Sequence, residues 1–214
     1  MANFTASPSE FLKGSIKVPG DKSISHRSIM LGSIANGVTN VSGFLEGEDT
    51  LATLNAFKDM GVKIEREGSN VVINGVGMNG LRPSLKPLNL GNSGTSIRLM
   101  TGLLSAQSFD SILCGDESLS KRPMARIIDP LREMGAIIKS SDSMPPLSIS
   151  GNQKLSALKY TLPVASAQIK SCLLLAGLYA DGETCITENE TTRDHTERML
   201  KGFGYQVTSS SGQV

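Results

Sequence analysis

Three stretches of this chain repeat one another at a long, nearly constant spacing, and that restricts the fold more than any other feature. Small-residue corners, each followed by a helix-like run, begin at Ser23, Ser93 and Ser166, separated by 70 and 73 residues. Second helical runs end on an apolar-Gly step at Met60-Gly61, Met134-Gly135 and Phe203-Gly204, separated by 74 and 69 residues. Each Gly suits the position just past a helix, where φ is positive. β-rich stretches follow at Val62–Glu65, Ala136–Lys139 and Tyr205–Thr208. Self-similarity at such a period implies supersecondary units that bury a shared core.

Each unit reads strand, helix, strand, helix, strand pair. In the first, Gly14–Val18 alternates as a strand, His26–Ala35 is a helix and Thr39–Ser42 a short strand. Thr50–Met60 is a second helix, and Val62–Glu65 with Asn70–Asn74 forms a hairpin. In the second unit Ile97, Met100, Leu103 and Leu104 share one helical face. So do Met124, Ile127, Ile128 and Leu131, behind a start that puts Pro123 at the first helical position. Pro130 predicts a kink or an early end there. The third unit's first helix, Ser166–Tyr179, is apolar nearly all round and should be deeply buried. The third unit has no counterpart of the closing strands Val71–Ile73 and Pro146–Ile149, so the chain reads as truncated after Val214 with a strand edge left unpaired.

Composition removes several classes of partner. The 214 residues carry a formal net charge of +1, six Phe, three Tyr and no Trp. That balance suits neither a bulk polyanion nor a stacking platform for nucleic acid. No apolar run approaches a membrane span and no signal-like stretch opens the chain. Cys114, Cys172 and Cys185 lack metal-type spacing, and Cys172 reads as a small core residue. His26 and His195, the only histidines, lack zinc-site spacing. The expected setting is a reducing cytoplasm.

The corners carry one kind of chemistry. The first is Gly20-Asp21-Lys22-Ser23-Ile24-Ser25-His26-Arg27, the second Gly91-Asn92-Ser93-Gly94-Thr95-Ser96-Ile97-Arg98, the third Ser166-Ala167-Gln168-Ile169-Lys170. Second helices open near Lys121-Arg122-Pro123-Met124 and Thr192-Arg193-Asp194-His195. A helix start presents unpaired N–H groups and the positive end of the macrodipole, so acids are its natural neighbours. Here cations recur instead, at Lys22, Arg27, Arg98, Arg122, Lys170 and Arg193. Cations at helix starts fit a shared anion site. Asp49 is first an N-cap candidate and then a candidate acid. Ser118-Leu119-Ser120-Lys121 matches a penicillin-binding pattern, but its Lys-Thr-Gly partner is absent, so it is read as coincidence.

These stretches, together with Gly115-Asp116 and Thr192–Glu197, resemble the 5-enolpyruvylshikimate-3-phosphate synthase family in order and along the whole chain. The Ser-Ala-Gln-x-Lys form with Arg-Asp-His-Thr-Glu downstream is similar to its class II branch. The resemblance implies an inverse α/β barrel: three βαβαββ repeats at about 19–80, 86–151 and 158–214 form one domain, the last of them incomplete. It also implies that residues 1–18 contribute to another, largely absent domain. The implied reaction transfers the enolpyruvyl group of phosphoenolpyruvate to the 5-hydroxyl of shikimate 3-phosphate, releasing phosphate, with no metal or organic cofactor. Lys22 would be catalytic and touch both substrates. Ser23, Arg27, Ser166, Gln168 and Arg193 would hold shikimate 3-phosphate. Asn92, Gly94, Arg122 and Gln168 would line the phosphoenolpyruvate side, with Arg98, Lys170 and Asp49 in support.

The family's acid–base carboxylates would lie in the missing C-terminal domain, so the chain is expected to be silent alone and the full-length protein a monomer. Departures are Ala167 where many relatives carry Ser, and Leu99 where many carry Pro. Gly94 is the form that implies sensitivity to glyphosate, whereas the class II likeness implies tolerance. The runner-up is UDP-N-acetylglucosamine enolpyruvyl transferase, which usually has Lys-Asn where this chain has Lys22-Ser23. A non-catalytic shikimate-3-phosphate-binding half is the other reading.

Overall fold

The computed structural model describes residues 3–11, 13–210 and 212–214. Its elements follow the repeat. The first unit is α1 (Lys22–Ile34), β1 (Asn36–Val41), α2 (Glu48–Asp59), β2 (Lys63–Glu67) and β3 (Asn70–Val76). The second is β4 (Leu88–Asn89), α3 (Gly94–Leu104), β5 (Ser111–Cys114), α4 (Ala125–Glu133), β6 (Ile138–Ser141) and β7 (Met144–Ile149). The third is β8 (Lys159–Thr161), α5 (Ala167–Gly177), β9 (Cys185–Thr187) and α6 (His195–Gly202).

The periodic Gly steps close the second helix of every unit in the same way. Gly61, Gly135 and Gly204 have φ of 89°, 103° and 84°. Their N–H groups donate to Lys58, Arg132 and Lys201 carbonyls, and the next residue's N–H donates to Phe57, Leu131 and Leu200. Each is a Schellman motif, in which left-handed backbone satisfies orphan carbonyls at the helix end.

The first helices of the units form the interior. α1 is buried from Ser25 to Ile34 and α5 from Ile169 to Ala176, as its all-round apolar sequence predicts. At Gly102 of α3 a Cβ would lie 2.1 Å from the Cys172 carbonyl oxygen, so α3 and α5 touch backbone to backbone there. Cys172 is fully buried, and burial pushes its thiol up to about 12, which makes it the inert core residue expected. α2, α4 and α6 bury one side each and cover this interior.

Sheets lie outside the helices. β1 pairs antiparallel with β3, and β3 with β2. β5 pairs parallel with β4 and antiparallel with β7, which pairs with β6. β8 and β9 pair in parallel. Among the described residues β1 therefore lacks the parallel neighbour that β5 and β9 possess. A groove of ≈ 1050 Å³ lies along it, lined by Val38, Thr39, Asn40, Met199, Phe203 and Tyr205 among others.

Several local expectations are corrected. Gly14–Val18 forms no strand: residues 13–19 are exposed coil, because alternation specifies a face only where a ladder exists to use it. α1 begins at Lys22, not His26, because the Asp21 carboxylate accepts from the Ile24 N–H at 2.7 Å and caps it there. Asp49 is no N-cap, since α2 is entered from Gly47. Pro123 is not the first residue of α4, which starts at Ala125 after a 3-10 turn over Leu119–Lys121. Arg122 is extended, as a residue before proline prefers.

Pro130 does not end α4, which runs on to Glu133; Ile127, Ile128, Pro130 and Leu131 are buried together on its core face. Tyr205–Thr208 is coil. Instead Val214 exchanges backbone hydrogen bonds with Ile186, at 3.0 and 2.7 Å, beside β9. No helix among the described residues is long and apolar enough to cross a membrane.

Candidate functional site

The first two turns of α1, α3 and α5 meet one another. His26 Nδ1 lies 3.4 Å from Ser96 Oγ, Arg98 Nη1 donates to Gln168 Oε1 at 3.1 Å, and Arg27 Nη2 donates to Ser171 Oγ at 2.6 Å. Three pairwise bonds, each within two turns of a helix start, bring three N-termini to one end of the bundle. Their side-chain caps are Asp21, Ser93 and Ser166, which accept from Ile24, Ser96 and Ile169 N–H groups. Three positive dipole ends then share one face.

Around the α3 corner the polar groups lock into a loop pair. Arg122 donates to Asn92 Oδ1 and, at 3.3 Å, to Ser118 Oγ. Asn92 Nδ2 donates to Asp116 Oδ2 at 2.8 Å, while Asp116 Oδ1 accepts from the Leu119 N–H at 2.8 Å. Arg98 also reaches the Gly94 carbonyl at 3.2 Å, and Gln168 Nε2 donates to Thr95 Oγ1 at 3.1 Å. A Cβ on Gly94 would lie 2.8 Å from Arg98 Nη1 and 3.1 Å from Arg122 Nη1. Two guanidiniums thus close over a backbone that only glycine leaves open. Burial lowers the Arg98 pKa, and the like charges of Arg122 and Arg126 lower it further. A bound anion relieves such a depression of Arg98.

At the α1 corner Lys22 forms an ion pair with Asp49, and its side chain remains 51% exposed. Arg193 Nη1 donates to Ser23 Oγ at 3.3 Å, joining the approach to α6 with the start of α1. Arg27 lies beneath them, 4% exposed, donating to Thr196 Oγ1 at 2.6 Å and to the Ser23 carbonyl at 2.9 Å besides Ser171. Burial pushes its guanidinium down to about 10 against the pull of Glu197, with the Arg193 charge adding to the depression.

Lys170 lies behind the open face. It is 1% exposed, with Nζ 3.0 Å from Glu188 and 2.6 Å from Glu197. A buried ammonium needs such partners, so its charge is spent inside the protein and not on the open face. Of the six corner cations, Lys22, Arg98, Arg122 and Arg193 remain near the surface, while Arg27 and Lys170 form a layer behind. Sequence reading missed Ser171 and Glu188. The available signal was Lys170 itself, a cation in an apolar helix, which demands a carboxylate from elsewhere in the chain.

His26 lies deeper still. It is fully buried, with Nδ1 2.8 Å from Thr53 Oγ1, which in turn meets Ser96 Oγ at 2.6 Å. Ser96 Oγ donates to Ser93 Oγ at 2.6 Å, so a hydroxyl chain ties the α1 interior to the α3 cap. Burial pushes His26 down to about 4, which leaves it neutral.

Residues 6–214 match the family model EPSP synthase (3-phosphoshikimate 1-carboxyvinyltransferase). The 3-phosphoshikimate 1-carboxyvinyltransferase of Ruthia magnifica is 66% identical over 214 residues, all of this chain and 49% of that protein. Its counterpart in Nitrosococcus oceani is 59% identical over 213 residues, 99% of this chain and 48% of that protein. The chain therefore spans about half the length of the curated relatives it matches. A solved EPSP synthase from Acinetobacter baumannii superimposes with a TM-score of 0.91 at 60% identity, over 94% of this chain and 46% of that one. A match that covers nearly every residue, with the same mixed α/β architecture, is decisive: this chain belongs to the EPSP synthase family.

Proposed function

We propose that this chain supplies the half-site that binds shikimate 3-phosphate and one side of phosphoenolpyruvate, for enolpyruvyl transfer to the 5-hydroxyl with release of phosphate. The observation that carries the reading is the meeting of three helix N-termini with Lys22, Arg98, Arg122 and Arg193 around them. Two phosphorylated substrates need charge neutralisation and fixed orientation, and dipole ends with preset cations provide both. Ser23, Ser166, Gln168 and Arg193 hold shikimate 3-phosphate, with Arg27 adding positive potential from beneath. Asn92, Gly94, Arg122 and Gln168 take phosphoenolpyruvate, Arg98 bracing Gln168.

Lys22 touches both substrates, and Asp49 keeps its ammonium aimed. The transition state gains oxocarbenium character, a methylene carbon gains a proton and a hydroxyl loses one, so an acid–base pair is required. Lys22 serves one transfer; the remaining carboxylates come from the C-terminal domain of the longer relatives, in a cytoplasmic setting. Residues 19–214 make the three-repeat domain, and residues 1–18 join the other one.

Turnover assays test the division of labour. The 214-residue chain should release no phosphate above background, and adding a separately produced C-terminal domain of an EPSP synthase should restore release. Turnover by this chain alone would overturn the division, and silence with every added domain would overturn the functional reading.

A further inference from the structure

We propose that Lys170 is a positioning residue for Arg193, acting as a single buried clip on both ends of the segment that carries it. Residues 188–194 form no regular structure, and Asp194 leads into α6 without a side-chain cap bond. Such a segment has little of its own to fix a side chain. It is flanked, however, by two carboxylates, Glu188 at its start and Glu197 in the first turn of α6, that converge on one ammonium: Lys170 Nζ lies 3.0 Å from Glu188 and 2.6 Å from Glu197.

Glu188 passes the constraint on. Its carboxylate accepts from the Thr192 N–H at 3.3 Å and from the Thr192 hydroxyl, one residue before Arg193. At the other end Thr196, next to Glu197, meets Ser171 Oγ at 2.7 Å and Arg27 Nε at 2.6 Å. Glu188, Glu197, Lys170 and Thr196 are 8%, 2%, 1% and 1% exposed, so solvent does little to weaken the clip. Lys170 itself stands one turn into α5, whose cap is Ser166. The same helix start therefore carries Ser166 and Gln168 outward and fixes Arg193 from inside.

This inference rests on the proposed binding of shikimate 3-phosphate at Ser23 and Arg193. Glu188→Ala is the variant of choice, because Lys170 keeps Glu197 as a partner. Hydrogen exchange reads the clip without ligand: the Thr192 amide, whose N–H donates to Glu188, should exchange about tenfold faster in Glu188→Ala, with α5 unchanged. Titration with shikimate 3-phosphate reads its consequence. Glu188→Ala should weaken binding roughly five- to tenfold in the native background and less than about twofold when Arg193→Ala is already present.

Lys170→Met combined with Glu188→Gln and Glu197→Gln removes the three clip charges together as a second variant and should reproduce the loss. Unchanged exchange at the Thr192 amide, or an equal loss of affinity in both backgrounds, would overturn the clip. If the native chain fails to bind shikimate 3-phosphate, the functional reading fails, and the exchange measurement alone still decides whether the clip exists.

Discussion

Gln168 Oε1 accepts from Arg98 Nη1 at 3.1 Å, and this bond couples the first turn of α5 to the second turn of α3. The Gln168 amide also donates to Thr95, so its orientation is set from both ends of the carboxamide. Gln168→Ala should weaken shikimate 3-phosphate binding about tenfold, the scale of a hydrogen bond to a charged group. Gln168→Glu should cost more, because a carboxylate keeps the acceptor for Arg98 but loses the donor to Thr95 and repels a phosphorylated ligand. Calorimetric titration of both variants checks the order; equal losses would contradict an anion site at Gln168.

Gly94→Ala should leave the fold intact and disturb the phosphoenolpyruvate side. The new methyl would press on the ends of two flexible guanidiniums, Arg98 and Arg122, and not on backbone. Alanine is also favoured over glycine in a helix by about 1 kcal/mol, which offsets the displacement. Thermal unfolding should therefore shift by only a few degrees. Phosphoenolpyruvate affinity, measured with shikimate 3-phosphate present, should fall several-fold; unchanged affinity would mean the guanidiniums do not bind it.

Stability should fall with acidification through His26. The unfolded chain takes up this proton near the ordinary value of 6.5, while the folded chain resists it until about pH 4. More protons are bound to the unfolded state across that interval, so folding weakens as pH drops from 6.5 to 4, by about 3 kcal/mol in all. Denaturant unfolding of native chain and His26→Gln across this range isolates the contribution. The difference between the two curves should change with pH; a constant difference would contradict a neutral buried imidazole.

Much of this fold was legible because its signals are local. The three apolar-Gly steps predict three Schellman ends, and Gly61, Gly135 and Gly204 adopt them. The all-apolar α5 predicts an interior helix, and the structure buries it. Part of what failed depends on partners remote in sequence. Gly14–Val18 alternates like a strand, but no ladder forms there to use the alternation. The start of α1 was missed because low-propensity Ser23 and Ser25 outweighed, in local reading, the cap that Asp21 provides. The convergence of the three helix starts, with their cations, was readable from the repeated corners. The division of those cations into a surface set and a buried set was not, because Lys170 is neutralised by Glu188 and Glu197, 18 and 27 residues away.

The most direct test of the account is titration of the 214-residue chain with shikimate 3-phosphate at low ionic strength, where exposed charges are least screened. The account predicts saturable one-to-one binding, millimolar or tighter, weakened by at least about tenfold when Ser23→Ala and Arg193→Ala are combined. No saturable heat up to roughly 10 mM ligand, or binding that the double variant leaves unchanged, would contradict it.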